Sequence, residues 1–121
     1  MLNKVILIGR MAAEPELRAL ATGNHLCKLR LATNSYSGRE EDGARREFTE
    51  FHDVVLFGRL AEVAGTHLQK GRLVYVDGRL RHRSWEGDDG RKRYASEVVA
   101  DSLQMLGPKT VDGGPELAVA S

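Results

Sequence analysis

The hydrophobic positions of this chain follow a period of two along most of its length, which is typical of β-strands. A nearly continuous apolar run over 3–10 predicts a strand that is covered on both faces. Further strands are predicted where apolar and polar residues alternate between turn-forming segments. These further strands span 25–34, 48–57, 72–85 and 91–106.

The hydrophobic spacing becomes helical once, between Gly58 and Gly71, and Gly71 is placed to end that helix. The polar, glycine-containing segment over 35–47 predicts a long hairpin loop. Three strands, one short helix and two more strands form the element order of an OB-fold. The sequence therefore predicts an all-β fold with one short helix, closed as a five-stranded Greek-key barrel.

The 121 residues correspond to one domain. After Gly107 the composition shifts to Gly, Pro and small residues, which predicts a domain over 1–107 and a flexible C-terminal tail over 108–121. No apolar run is long enough for a transmembrane helix or a secretory signal, so a cytoplasmic location is expected. The single cysteine, Cys27, excludes an intramolecular disulfide framework and a Cys-rich zinc site.

The net charge of +1 hides an uneven distribution of charge along the chain. Between Lys70 and Arg93, eight lysines and arginines stand against four acidic residues, which gives a local charge of +4. Such a segment suits a polyanionic ligand. A solvated charged surface is the alternative interpretation.

One predicted strand combines cations with an aromatic ring on a single face. Arg79, Arg81, Arg83 and Trp85 are two residues apart, so a regular strand projects all four to the same side. Burying three guanidinium groups in a core is very unfavourable, so this face must meet water or an anion. Arginines that neutralise phosphates and a ring that stacks on bases suit single-stranded nucleic acid. The alternative is a salt-bridged surface strand in which Trp85 caps the barrel end.

The strand over 48–57 also places aromatic residues together on one face, but less clearly. Phe51 and Phe57 share one face, although an inward-packed Phe57 is a serious alternative. Asp53 lies on the same face, where its carboxylate opposes a phosphate. Tyr36, at the mouth of the predicted hairpin loop, suits either base stacking or anchoring of the loop.

These observations give two sets of candidate residues for binding single-stranded nucleic acid. Those proposed to stack on bases are Tyr36, Phe51, Phe57 and Trp85. Those proposed to neutralise phosphates are Lys28, Arg30, Arg72, Arg79, Arg81, Arg83, Arg91 and Arg93. Lys28 and Arg30 belong to the second set because their parity opposes that of Cys27 and Leu29.

The sequence gives little support for an enzyme. His52 and Asp53 point to opposite faces of a strand, so they cannot share one substrate or metal ion. The phosphate-binding, zinc-protease and serine-hydrolase motifs are absent. We therefore predict no catalytic residue, no metal site and no cofactor. Cys27 is interpreted as a small buried hydrophobe, with an inter-subunit disulfide as the alternative.

Ordered blocks of sequence closely resemble the bacterial single-stranded DNA-binding protein family. The resemblance spans residue 1 to about 106 and rests on the blocks Asn3–Arg10, Pro15–Arg18, Leu31–Thr33, Thr49–His52, Phe57–Glu62, Lys70–Gly71, Val74–Leu80 and Gln104–Leu106. It implies an OB-fold subunit that forms a homotetramer and wraps single-stranded DNA without sequence preference. Such a protein acts in replication, recombination, repair or DNA uptake.

The resemblance also implies roles for particular residues. Aromatic residues of the family at the positions of Tyr36, Phe51, Phe57 and Trp85 stack on bases, and the first two are usually tryptophan. The family histidine that matches His52 lies at a subunit contact. The expected subunit interface comprises Asn3, Val5, Leu7 and His52.

Three departures from the family pattern affect the expected function. Asp53 stands where a basic residue is usual, and a family glycine near Ala12 is missing. The chain ends in Leu-Ala-Val-Ala-Ser without the acidic tip that recruits replication and repair enzymes, so such recruitment is not expected. The chain is then a short paralogue or a truncated form. The alternative functions are an OB-fold assembly module of a primosome-like complex and a metal-dependent nuclease.

Overall fold

The computed structural model describes residues 1–39, 41, 43 and 45–108. In this part of the chain the elements are β1 (Val5–Met11), β2 (Glu16–Ala19), β3 (His25–Arg39), β4 (Arg45–Phe57), α1 (Gly58–His67), β5 (Leu73–Glu86) and β6 (Lys92–Leu106). Beyond Pro108, the predicted tail lies outside the described residues. No helix among the described residues has the length and apolar character needed to cross a membrane.

Five of the strands close into a barrel. The sheet order is β1-β5-β6-β4-β3, and β1 returns to β3 through the pairs Arg10↔Ala32 and Met11↔Leu31. All neighbours in this barrel are antiparallel except β4 and β6, which run parallel. The predicted OB-fold is confirmed. The short β2 is an addition that pairs only with the edge of β3.

The core consists of aliphatic side chains from the inner faces of the strands. The largest buried side chains include Met11, Leu31, Leu56 and Val74, each exposing 2% or less. The helix α1 adds its buried alanines to the same cluster. In the first half of β5, the buried Val74 and Val76 alternate with Tyr75 and Asp77, which point outward. The alternation in the sequence therefore predicted which residues of this segment face the core.

The predicted hairpin loop over 35–47 is largely strand. β3 continues to Arg39 and β4 begins at Arg45, and Ser35 pairs with Phe48 in the continuing ladder. The backbone ladder depends on paired N–H and C=O groups rather than on apolar side chains. Polar composition therefore gave a loop prediction that was too long.

A bulge in β6 shapes the part of the barrel that β5 and β6 form. Asp77 pairs with Ser102 and Gly78 with Ala100, so Asp101 is the extra residue. A Cβ atom at Gly78 would collide with the backbone of Val99 and Ala100. The close approach of the two strands thus requires glycine at this position.

Candidate nucleic-acid interface

Four aromatic side chains proposed to stack on bases are exposed. The exposed fraction is 57% for Tyr36, 54% for Phe51, 42% for Phe57 and 42% for Trp85. The inward-packed alternative for Phe57 is therefore wrong. Tyr36 lies opposite Glu47 on the side of the β3–β4 hairpin that also carries Phe51. Large rings gathered at a surface mark an interaction site.

Three of these rings each lie under a guanidinium group. The distance from the guanidinium carbon to the ring centre is 4.9 Å for Arg30 and Phe51, 5.8 Å for Arg81 and Phe57, and 4.7 Å for Arg83 and Trp85. These are cation–π contacts. The ring surface is defined here as these six residues: Phe51, Phe57, Trp85, Arg30, Arg81 and Arg83. It combines the two chemical groups that single-stranded nucleic acid requires.

The arginines of β5 already have carboxylate partners. Glu97 on β6 exposes 5% of its side chain, and its Oε1 accepts hydrogen bonds from Arg83 Nε at 2.6 Å and Arg81 Nη2 at 3.3 Å. Arg79 forms a longer, exposed ion pair with Asp101 at 3.7 Å. The salt-bridged alternative from the sequence is thus partly correct. Trp85, however, remains exposed.

Asp53 has a compensating partner on the neighbouring strand. Arg30 lies directly opposite Asp53 in the β3–β4 ladder, and Arg30 Nη1 is 3.9 Å from Asp53 Oδ1. Both side chains are more than half exposed. An exposed pair of this kind contributes about 0–1 kcal/mol to stability. Its main effect is to reduce the positive charge beside Phe51.

A groove of about 360 Å³ shares Arg30 and Arg83 with the ring surface. Its lining also includes Asp53 and Glu97, the carboxylate partners of these two arginines. Lys28, proposed to neutralise phosphate, also lines this groove. The groove is therefore continuous with the ring surface rather than a separate site.

The remaining phosphate candidates lie at the far end of the β5–β6 hairpin. Arg93 pairs with Trp85 in the ladder, and its Nη2 is 3.0 Å from Asp89 Oδ2. Arg91 is exposed, and its backbone N–H donates to Asp89. Both arginines lie close to Trp85 in sequence and register.

Arg72 does not belong to this surface. It exposes 8%, and its Nε donates to the carbonyl of Leu106 at 3.1 Å. Its parity matches that of the inward Val74 and Val76. Its burial and its hydrogen bond to Leu106 do not favour phosphate binding by Arg72, which stays a prediction.

Replacing Arg72 with methionine should lower the free energy of unfolding by about 1–3 kcal/mol, because the Leu106 carbonyl loses its donor. Urea unfolding measures this change, and Arg59→Met on the exposed surface of α1 is the matched control. DNA affinity per folded molecule should not change. Weaker DNA binding at unchanged stability would return Arg72 to the DNA interface.

The single chain shows how far each expected subunit-contact residue is buried. Val5 and Leu7 pack against the core, whereas Ile6 and Ile8 expose 60% and 55% of their surfaces. Asn3 exchanges two hydrogen bonds with the backbone of Leu80, of 2.8 and 2.9 Å. The more exposed side of β1 in the single chain is therefore that of Ile6 and Ile8, and a subunit contact through Asn3, Val5 and Leu7 stays a prediction.

His52, the fourth expected contact residue, is half-buried. Its Nε2 lies 2.8 Å from the hydroxyl oxygen of Thr33 on β3. This hydrogen bond fixes the imidazole between two strands of the same chain. A contact between His52 and a second subunit stays a prediction.

A polar network lies beside the exposed isoleucines. The carboxylate of Asp77 accepts hydrogen bonds from Ser102 at 2.7 Å and Tyr75 at 2.8 Å, and Lys4 lies 3.4 Å away. The Ser102 and Tyr75 hydrogen bonds hold the pKa of Asp77 below its ordinary value. The hydrogen bond to Asp77 in turn raises the pKa of Tyr75. Tyr75 and Asp77 are two residues apart in a strand and therefore share a face, and this spacing is the sequence pattern that could have predicted the network.

Cys27 is completely buried in the core. Burial, with a smaller effect of the Glu16 charge, raises the pKa of its thiol to about 11. The thiol therefore stays protonated and covered at neutral pH. This supports the interpretation as a buried hydrophobe over an inter-subunit disulfide.

Among residues 1–39, 41, 43 and 45–108, no three His, Cys, Asp or Glu side chains are grouped so that they could hold a metal ion. Two acidic residues of the groove, Asp53 and Glu97, are paired with arginines, and a third, Glu14, accepts a hydrogen bond from the backbone N–H of Lys70. These three carboxylates thus have partners within the protein.

Two comparisons relate this chain to known proteins. A family model described as "Single-strand binding protein family" matches residues 2–106. Two proteins named "Single-stranded DNA-binding protein", from Neisseria meningitidis serogroups A and B, are each 42% identical over 113 residues. That alignment covers 93% of this chain but 64% of each relative, so the chain spans less than two thirds of their length.

Solved structures show the same similarity in three dimensions. "Plasmodium falciparum SSB complex with ssDNA" gives a TM-score of 0.79 at 29% identity, and it covers 88% of this chain and 96% of that one. A deletion mutant of the single-stranded DNA binding protein from Thermus aquaticus gives 0.72 at 35% identity, covering 88% and 57%. The chain belongs to the single-strand binding protein family.

Proposed function

We propose that this protein binds and protects single-stranded DNA without sequence preference and performs no chemical reaction on it. The observation that carries the proposal is the ring surface, where three half-exposed rings each lie under an arginine. Membership of the family supports it, as does the similarity to the Plasmodium falciparum protein in complex with single-stranded DNA. Such a protein serves replication, recombination, repair or DNA uptake, in the cytoplasm.

Binding combines stacking with phosphate neutralisation. Every base has a flat face, so the ring area of Phe51, Phe57 and Trp85 that the arginines leave exposed accepts any base, at about 1–3 kcal/mol each. Arg30 and Arg83 supply positive charge beside those rings. Duplex DNA is disfavoured because its bases are already stacked on each other.

Titration of Trp85 fluorescence tests the proposal, since Trp85 is the sole tryptophan. Oligo(dT) of increasing length should quench its emission, whereas duplex of equal length should bind much more weakly. The logarithm of affinity should fall by about 0.7 per tenfold salt for each phosphate neutralised. Absence of quenching and of single-strand preference would refute the proposal.

Two alternatives give different results in the same assays. A protein-assembly module would bind partner proteins and only feebly bind DNA. A nuclease would shorten a labelled oligonucleotide when Mg²⁺ is added. We expect the oligonucleotide to stay intact and fully bound.

We further propose that the chain assembles as a homotetramer in which the outward side of β1 forms one of the contacts. Ile6 and Ile8 expose most of their surface on this side, with the Asp77 network next to them. Neighbouring apolar side chains on a strand favour burial against an equivalent surface. A symmetric contact would bring Ile6 and Ile8 of one copy against the same side of another.

Replacing Asp53 with arginine should tighten binding to oligo(dT) several-fold at low salt. The change removes the partner of Arg30 and adds a cation beside Phe51, so the salt dependence should steepen by about 0.7 for each additional phosphate neutralised. Anisotropy titrations at four salt concentrations measure both effects.

The control for this variant is Glu62→Arg on α1, which makes the same charge change and likewise removes a partner, because Glu62 Oε1 lies 3.1 Å from His25 Nδ1. It should have a clearly smaller effect on the salt dependence. Equal effects of the two variants would show that net charge alone, and not the position of residue 53, determines the change.

A further inference from the structure

A buried carboxylate lies directly beneath the ring surface. Glu97 on β6 is paired with Arg81 of β5 in the ladder and exposes only 5% of its side chain. An acid at this place opposes a polyanion. A buried acid also needs partners to offset its desolvation, so its position calls for an explanation.

Glu97 holds two guanidinium groups with one oxygen atom. Its Oε1 accepts from Arg83 Nε at 2.6 Å and from Arg81 Nη2 at 3.3 Å. The guanidinium group of Arg83 also lies over Trp85, and that of Arg81 lies over Phe57. The carboxylate and the rings thus determine together where both arginines lie.

The contact with Arg83 leaves its phosphate-binding edge available. Glu97 engages Nε, so the hydrogen bond to Glu97 does not use the two terminal nitrogens of Arg83. The Nε atom of Arg81 is buried and has no hydrogen-bond partner. The hydrogen bond between Arg81 and Glu97 is donated by Nη2 instead. A buried acceptor therefore orients both side chains without occupying all their donors.

Two effects of Glu97 on DNA affinity have opposite signs. Its charge lowers the positive potential of the ring surface, which weakens binding. Its hydrogen bonds order two long, flexible side chains before DNA arrives, which strengthens binding because that ordering is no longer required on association. The short Arg83 contact and the near-complete burial of Glu97 favour the second effect.

We propose that Glu97 is a positioning residue of the DNA interface, which fixes Arg81 over Phe57 and Arg83 over Trp85 and so raises affinity despite its charge. The inference rests on the proposed single-strand binding. It predicts that removing a negative charge at this position weakens the binding of a polyanion.

The test compares Glu97→Gln with Asp101→Asn. Each variant removes one negative charge from the carboxylate partner of a β5 arginine. Unlike Glu97, however, Asp101 is 59% exposed, and its Oδ1 lies 3.7 Å from Arg79 Nη1. Glutamine keeps an oxygen that accepts hydrogen bonds but loses the charge that strengthens them, so Glu97→Gln should hold the two arginines less firmly and weaken oligo(dT) binding roughly fivefold or more. Asp101→Asn should bind as tightly as the unmodified protein or tighter. Tighter binding by both variants would overturn the inference.

The emission of Trp85 in the DNA-free protein gives a second measurement. If Glu97 holds Arg83 over the indole ring, Glu97→Gln should shift this emission, whereas Asp101→Asn should leave it unchanged. A general loss of structure is checked by thermal unfolding of each variant. An unshifted emission together with unchanged affinity would refute the positioning role.

Arg83→Lys keeps the test decisive if Glu97→Gln does not fold. Lysine retains the positive charge but lacks the Nε–H group that donates a hydrogen bond to Glu97. It should weaken oligo(dT) binding and shift Trp85 emission in the direction expected for Glu97→Gln, and full affinity of Arg83→Lys would overturn the inference. Failure of the unmodified protein to bind oligo(dT) would instead refute the proposed function.

Discussion

Replacing Trp85 with alanine should weaken oligo(dT) binding by about 1–3 kcal/mol and leave the barrel folded. The indole ring is 42% exposed and lies outside the core cluster, so its removal leaves no cavity in the core. Its loss removes a stacking platform and the ring under Arg83. Anisotropy of a labelled oligonucleotide is the suitable measurement, because the variant has no tryptophan.

Tyr94→Ala is the matched control for this prediction. Tyr94 belongs to the same β5–β6 hairpin and is 74% exposed, but it pairs with Ser84 and therefore lies on the opposite face from Trp85. Its removal should change affinity less than twofold. Equal losses for the two variants would mean that the hairpin, rather than one face of it, contacts DNA.

Replacing Ile8 with glutamate should dissociate the proposed homotetramer into smaller species. Burial of an isoleucine contributes about 1.5–3 kcal/mol, and each of the four copies would lose it while burying a charge. Ile8 is 55% exposed in the single chain, so the barrel itself should tolerate the change. Sedimentation velocity at micromolar concentration measures the mass of the assembly.

Thr66→Glu, which adds the same charge at an exposed position of α1, is the control for assembly. It should leave the sedimentation coefficient unchanged. An Ile8→Glu variant with the same mass as the unmodified protein would move the proposed contact away from the outward side of β1. Loss of cooperative unfolding in Ile8→Glu would instead show that the isoleucine supports the barrel.

The sequence predicted that Trp85 shares one exposed side of β5 with three arginines, because the residues are two apart and burying the arginines is too costly. It did not predict that the opposite side, with Leu80, His82 and Ser84, is exposed as well over this half of the strand. Element order then sufficed to predict the OB-fold.

The parity of β1 could not be predicted in this way. Val5 to Ile8 are all apolar, so neither side is marked as outward, and the choice depends on how the barrel closes onto β3. In the single chain Ile6 and Ile8 are the more exposed residues, whereas the expected subunit contact named Val5 and Leu7. A continuous apolar run predicts a strand but not its orientation.

The contacts of Glu97 and Arg72 were not predicted from the sequence, for a related reason. Their roles depend on partners in other strands, and the register between β5 and β6 changes at the bulge near Asp101. A single sequence does not specify that register. Composition identified the cations near Trp85 but not the carboxylate that holds two of them.

Gly78 lies in β5 between the residues beside the proposed assembly contact and the basic run that ends at Trp85. Tyr75 and Asp77 lie beside the proposed assembly contact, and Arg79 begins the basic run that ends at Trp85, all with one parity. An insertion of one residue between Asp77 and Arg79 would turn one of these groups to the wrong side. The length of this short connection should therefore be as strictly constrained as the chemistry on either side of it, since quaternary structure and ligand recognition both depend on it.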